Sequence, residues 1–345
     1  MPPPLRRGAW MSPSRRFGLG HWAAAGKAAV LAAVCGRRTP LAVSYLITNR
    51  CDSCCAYCDR WRNPGPELTT EQVFELLAGL RGLGTRFLQI TGGEPFLRDD
   101  LPAIAARARE LGLHVGVNTN GSLVEQRPEV LRHVDHVCLS LDGPPEVHEK
   151  IRPKGSHSRV ERAIEFIQGQ GVPVSLTATL TKYNTDCVDY LLDFAAAKGV
   201  RLSFQPADVH ALSSLRDNET VAETGRVRAA FALLAERRKD GASLENGRLE
   251  LAYMGKWPES QGIDCAGARL FCRIESDGDV MVCGLREQGR VHPNILRDGL
   301  EAALSSVPLP DCDACFSSAR LRINLLYSGL RFNRRVLMDL LKGRG

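Results

Sequence analysis

The chain lacks any apolar run long enough to cross a bilayer. A span needs about 20 consecutive apolar residues; the best stretch, Trp22 to Gly36, is shorter and is interrupted by Lys27. It lacks acid at its start, where residues 1–39 hold seven Lys or Arg and no Asp or Glu. Repeats and low-complexity tracts are missing too, which excludes solenoid and propeller architectures. No RNA-binding module is recognisable, and the charge distribution argues the same way. Residues 316–345 hold seven Lys or Arg against one Asp, so the ends carry +7 and +6 of a net +6, and the stretch between them is −7. An acidic body excludes a broad nucleic-acid surface. The basic ends suit an anionic membrane surface or an acidic partner, or are merely solvated.

Basic residues before Ala28–Cys35 give that stretch the outline of a secretory signal, and Cys35 hints at a lipoprotein site. Val34 is too bulky for that cleavage. Residues 20–35 are read instead as an amphipathic helix that packs on the barrel or lies on a membrane surface. Apolar content of 44% and charged content of 24% are ordinary for a globular protein, and 345 residues suffice for one large domain and a smaller one. The twelve cysteines sit in clusters with metal-ligand spacing, not spread as in a disulfide framework. A reducing, cytoplasmic location is expected, peripheral at the membrane if the basic ends engage it.

Hydrophobic patterning gives six strands alternating with helices. The strands are 41–47, 87–90, 114–117, 134–139, 172–180 and 201–205. Helices are expected from about 69, with Thr69 or Thr70 as N-cap and Val73, Leu76, Leu77 and Leu80 as the apolar stripe, and near 99–111, 127–132, 158–170, 186–198 and 221–239. Such alternation implies parallel strands joined by right-handed crossovers, hence an α/β fold of the partial (β/α)6 TIM-like barrel type. The expected divisions are a basic extension 1–39, the barrel 40–240, a linker 241–263, a small β-hairpin and helix unit 264–316, and a basic helix 317–345. Chemistry in such barrels sits at the C-terminal strand ends.

The strongest motif follows the first strand. Cys51, Cys55 and Cys58 have the spacing C-x3-C-x2-C, and thiolates so grouped select zinc, copper(I) or an iron–sulfur cluster. Three ligands are too few for a closed zinc site or a simple electron-transfer cluster. They would leave one iron open, unless a distant fourth ligand completes a zinc knuckle. The second strand ends in Thr91-Gly92-Gly93-Glu94-Pro95. With these two motifs in this order on strand ends, the chain resembles the radical S-adenosylmethionine (SAM) superfamily. The resemblance implies a [4Fe–4S] cluster on the three cysteines and SAM on the open iron. It places the SAM amino group at Gly92, Gly93 and Glu94, with the glycines allowing close backbone approach. Tyr57 lies near the adenine, Ser140 and Arg152 at the SAM carboxylate, and Asn118 and Asn120 at the ribose or as ordinary turn caps.

A second set follows: Cys265, Cys272, Cys283, Cys312 and Cys315. Asp277-Gly278 reads as a hairpin turn before Cys283. A cysteine, a Gly-x4-Cys hairpin, a short helix near 297–305 and C-x2-C resemble the SPASM/twitch branch. No cysteine follows Cys315, as in the twitch variant, which implies one auxiliary [4Fe–4S] cluster on Cys265, Cys283, Cys312 and Cys315. Cys272 points inward as a small hydrophobe or replaces Cys265, and a four-cysteine zinc ribbon is the structural alternative. Cys54, Cys138 and Cys187 are expected only to pack.

The resemblance implies reductive cleavage of SAM to a 5′-deoxyadenosyl radical, with electrons from a flavodoxin- or ferredoxin-type donor, and hydrogen abstraction from a substrate. Asp142, His148, His157, Gln205, Asp208 and His210 are positioned to face that substrate, without assignment as acids or bases. A small molecule is favoured over a ribosomally made peptide, because only some forty residues precede the first strand, few for a peptide-clasping domain. A non-catalytic zinc-stabilised binding protein is the reading of another class.

Overall fold

The computed structural model describes residues 19–208, 217–259, 262–283 and 291–342. Helix α1 (Leu19–Cys35) leads into β1 (Ala42–Thr48), and α2 (Thr70–Gly82) into β2 (Phe87–Gly92). Then come α3 (Leu101–Glu110), β3 (His114–Thr119), β4 (His136–Ser140), α4 (Pro145–Ile151), α5 (Ser156–Gly169), β5 (Val174–Leu180), α6 (Val188–Ala197) and β6 (Arg201–Pro206). The 127–132 stretch is a 3₁₀ turn, Pro128–Arg132, because Pro128 at its start and a five-residue length leave no room for a full α-helix.

Sequence dictates α2 closely. Thr69 caps it, accepting from Gln72 N while the Gln72 side chain accepts from Thr69 N. Val73, Leu76, Leu77 and Leu80 then fall on one face and are buried. The other crossover helices bury similar stripes, and the strands present Val43, Tyr45, Ile47, Leu88, Ile90, Val115, Val117, Val137 and Leu139 to the same core.

The sheet order is β6-β5-β4-β3-β2-β1-β7-β8, where β7 is Phe271–Ile274 and β8 is Val280–Met281. β1 to β6 pair in parallel, and β7 adds in parallel on the free side of β1, with Ala42 opposite Phe271 and Tyr45 opposite Ile274. β8 returns antiparallel through the expected Asp277-Gly278 turn. The cysteine hairpin is thus part of the barrel sheet, not a separate layer.

Between β6 and β7 the chain forms α7 (Thr224–Lys239) and α8 (Arg248–Met254). The second lies within the stretch expected as a linker. Its buried Glu250, Leu251, Tyr253 and Met254 tie it to the body, a pattern that a seven-residue helix among glycines and charges does not advertise. After β8 come α9 (Ile295–Asp298), α10 (Leu300–Ser306) and the long α11 (Ser318–Lys342). α11 packs on β6, α8 and α1. α1 buries Ala28, Ala29, Ala32 and Ala33 against the molecule and exposes Val30 and Val34. No helix among the described residues is long and apolar enough to cross a membrane.

Candidate cluster and cofactor site

The site begins where β1 and β2 end. β1 stops at Thr48, and the chain turns through Asn49 and Arg50 into Cys51. Two main-chain hydrogen bonds zip this exit to that of β2: Gly93 N donates to Thr48 O at 2.7 Å, and Glu94 N to Arg50 O at 2.8 Å. The glycines are required by this contact. A Cβ on Gly92 would lie 2.2 Å from Thr48 O, and one on Gly93 would lie 2.1 Å from Arg50 O. Gly92 also has a φ of +143°, which side chains disfavour. The sequence reading gave the missing side chains to close approach of SAM. On the Cβ side that space is filled by the exit of β1, because two parallel strands must converge before the cysteine loop can leave between them.

Glu94 is fully buried. Its carboxylate accepts from Thr119 Oγ1 at 2.7 Å, Asn120 N at 2.8 Å and Phe96 N at 3.1 Å. Burial nevertheless raises its pKa to about 7. Thr119 closes β3, so Glu94 pins a third strand end. A carboxylate offers about four acceptor positions, so these three donors leave capacity for a further cation. Asn120 extends the tie: its Nδ2 donates to Asp52 Oδ1 at 2.7 Å and Ser53 Oγ at 2.9 Å. Ser122 Oγ donates to Asp52 Oδ2 at 2.5 Å. Asn120 is thereby committed to the cysteine loop. Asn118 faces the Gln89 side-chain amide at 2.9 Å. Ser140 stands half-buried at the last position of β4.

Cys51, Cys55 and Cys58 are half-buried, and Cys54 is exposed rather than packed as expected, since it stands on the outer side of a short turn-rich loop. Burial pushes the Cys51 thiol up to about 12 and the Cys55 thiol to about 11; Cys51 also feels Cys55, and Cys55 feels Cys58. Thiols so placed lose their protons to a metal centre, not to water. Among the described residues no three His, Cys, Asp or Glu side chains stand close enough to share one metal ion.

Beneath the loop lies an ion-paired layer. Arg152 Nε donates to Asp142 Oδ2 at 2.6 Å, its Nη2 to Tyr57 Oη, and its Nη1 approaches Cys55 Sγ at 3.6 Å. Tyr57 Oη in turn donates to Asp142 at 3.3 Å. Burial is the largest single influence and works against the Arg152 charge, but Asp142, Tyr57 and Cys55 together outweigh it and hold the guanidinium firmly protonated. Asp142 Oδ1 accepts from Thr179 N at 2.9 Å, and Asn184 Nδ2 donates to Asp142 O at 2.7 Å. His148 Nδ1 accepts from Asp142 N at 3.0 Å.

These contacts correct the list of substrate-facing candidates. Asp142, His148 and His157 are buried in the wall; burial lowers His148 to about 4, so it is neutral. Gln205 Oε1 accepts from Ser318 N and Oγ at 3.3 and 3.2 Å, at the start of α11. Asp208 accepts through its main-chain carbonyl from Asn218 Nδ2. His210 lies outside the described residues. Sequence reasoning missed Asn184, Thr179 and Asn120 as anchors, since their roles depend on which strand ends meet.

The second cysteine set also converges. The hydrogen bond to Cys312, together with burial, raises the Cys265 thiol, which also feels Cys315; Cys315 in turn feels Cys283. Cys272 is buried in the core, and burial pushes its thiol up to about 12. Cys265, Cys283, Cys312 and Cys315 thus lie within electrostatic reach of one another, and Cys272 stands apart from them in the core. Tyr253 Oη accepts from Cys315 N at 3.2 Å, and Ile263 N donates to Asp313 O at 2.9 Å, which fixes the two cysteine segments side by side.

A parallel β/α barrel that brings a C-x3-C-x2-C loop to its strand ends, beside a buried carboxylate with spare acceptor capacity, has the donor set of proteins that hold a thiolate-bound cluster and a cationic cofactor. Residues 45–195 match the Radical SAM superfamily, whose cofactors are a [4Fe–4S] cluster and SAM. The chain is 33% identical over 158 residues to Fe-coproporphyrin III synthase of Methanosarcina barkeri, covering 44% of this chain and 40% of that protein. It is 28% identical to Pre-heme d1 synthase of Dinoroseobacter shibae, covering 73% and 67%. It is 34% identical to PqqA peptide cyclase of Streptomyces rochei, covering 44% of each. The match thus spans less than half the length of two of these relatives. The fold is similar to Streptococcus suis SuiB bound to S-adenosylmethionine, with a TM-score of 0.65 at 16% identity over 79% of this chain and 67% of that one.

Proposed function

We infer that this radical SAM enzyme abstracts hydrogen from a small-molecule substrate, with an auxiliary [4Fe–4S] cluster on Cys265, Cys283, Cys312 and Cys315. The observation that carries the reading is the zip between the cysteine-loop entry and the Gly92-Gly93-Glu94 exit, which binds the metal and cofactor motifs into one rigid unit. When bound, the cluster and SAM supply an electron and a 5′-deoxyadenosyl radical. The chain's own part is positional. Cys51, Cys55 and Cys58 ligate three irons. Glu94 offers its carboxylate to the SAM ammonium. Arg152 holds positive charge under Cys55, and Tyr57, Ser140 and Asn118 complete the cofactor wall. A flavodoxin or ferredoxin supplies electrons. Two relatives are named for small-molecule products, Fe-coproporphyrin III and pre-heme d1.

A second reading, maturation of a ribosomal peptide, is favoured by the PqqA peptide cyclase relatives and by the likeness in fold to SuiB, solved with its precursor peptide SuiA. Anaerobic reduction of the reconstituted protein with SAM tests both. Formation of 5′-deoxyadenosine stimulated by candidate metabolites supports the first, and stimulation only by a peptide supports the second. Zinc without acid-labile sulfide would reduce the chain to a binding protein. The basic ends belong to the same proposal as a peripheral contact with anionic lipid. α11, which carries six of the seven basic residues of the C-terminal end, packs on α1.

A further inference from the structure

One face of α11 is polar where it meets the second cysteine set. Arg320, Asn324, Ser328 and Arg331 follow at spacings of four, four and three and so share that face. Arg320 Nη1 lies 3.2 Å from Cys283 Sγ, and its guanidinium stands 5.9 Å over the Phe271 ring on β7. Asn324 is fully buried; its Oδ1 accepts from Ala266 N at 2.8 Å, and its Nδ2 finds no oxygen acceptor and faces only the Cys315 thiol. Ser328 Oγ accepts from Asp264 N at 2.8 Å, and Arg331 Nη1 pairs with Asp264 at 3.0 Å, which clamps the residue before Cys265. Burial raises the Cys315 thiol, while the Ser317 amide, Arg320 and Asn324 favour its thiolate.

A buried amide donor with no oxygen acceptor is costly. Its natural acceptor is a sulfur that is neutral in the free thiol and anionic once it ligates iron. A [4Fe–4S] cluster on four thiolates is a net anion, and its potential responds to net charge and to hydrogen bonds on its sulfurs. We propose that the Arg320 and Asn324 side chains of α11 are the positioning residues of the auxiliary centre, donating to the Cys283 and Cys315 thiolates and raising its reduction potential. This rests on the auxiliary-cluster reading above. Arg320 supplies both charge and hydrogen bond, Asn324 the hydrogen bond alone, and Ser328 with Arg331 fix the Cys265 segment against the same helix.

The test uses the full chain carrying Cys51→Ala, Cys55→Ala and Cys58→Ala, so that only the auxiliary centre remains, and follows its reduction by EPR during an anaerobic redox titration. Arg320→Met should shift the reduction equilibrium about tenfold toward the oxidised cluster, about 59 mV for one electron. Arg320→Lys should fall between, and Asn324→Leu should shift in the same direction by less. Unchanged midpoints in a cluster-loaded Arg320→Met protein overturn the role of α11 and leave the cluster reading intact. Loss of all iron and sulfide from the triple cysteine variant, with the fold retained by circular dichroism, overturns the cluster reading and the proposal with it.

Discussion

A carboxylate sealed from water is the most pH-sensitive group in the cofactor wall. Glu94 has a folded pKa of about 7 against an ordinary 4.5. Between those values the folded chain holds a proton that the unfolded chain has lost. Stability is therefore highest below about 4.5 and falls as pH rises through 7, by about 3 kcal/mol for this group. The Glu94→Gln protein should lack that decline. Urea unfolding of the metal-free protein at pH 5, 6 and 7, wild type against variant, measures the difference, and parallel slopes would remove Glu94 from the account. Asp142 makes the complementary case. Its carboxylate is the charge partner of the buried Arg152, and stranding a buried cation costs about 3–5 kcal/mol. We expect Asp142→Asn to lower stability by that amount, measured by denaturant midpoint. At this scale the sequence was half informative. Cys51, Cys55, Cys58 and Arg152 are named by spacing and resemblance, and Arg152 stands against Cys55. The structural work of Gly92, Gly93 and Asp142 is not legible in the sequence, because each touches the exit of another strand and no local pattern records that, whereas Asn120 does cap its turn, accepting from Ser122 N at 2.8 Å.

Elements were more legible than side chains. α2 announces itself by Thr69, Gln72 and a four-position apolar face, and the structure has each. The six parallel strands follow from apolar runs that end in turn residues, and the Asp277-Gly278 turn lies between β7 and β8. α8 was hidden for a physical reason: seven residues give two turns, too few to display a period, and its cap is a glycine. Its packing nevertheless is that of a core helix. Leu251 is 1% exposed, and Arg322 of α11 pairs with its Glu250 at 2.5 Å. Leu251→Ala should cost about 2–5 kcal/mol through the cavity it leaves, read as a lowered thermal midpoint. A change below 1 kcal/mol, the range of exposed sites, would return the stretch to linker status.

Across the whole molecule the two cysteine sets are mechanically joined. β7 continues the barrel sheet beside β1, and the hairpin beyond it returns to the exit of the cysteine loop. Leu68 N donates to Ser276 O at 2.7 Å, and Ser276 Oγ to Pro66 O at 3.0 Å. The tie between charges is Glu275, which pairs with Arg60, two residues past Cys58, at 3.0 Å and with Arg273 of β7. Arg273 is so deeply buried that its pKa is lowered to about 10. Removing the carboxylate would leave two enclosed cations facing each other. Glu275→Gln should therefore loosen both partners at once: amide hydrogen exchange should rise together in 58–68 and in 271–283, with a stability loss of about 3–5 kcal/mol. Faster exchange confined to the hairpin would mean that the C-terminal cysteine unit moves independently of the barrel. Joint exchange would mean that a strain at either cysteine set is felt at the other.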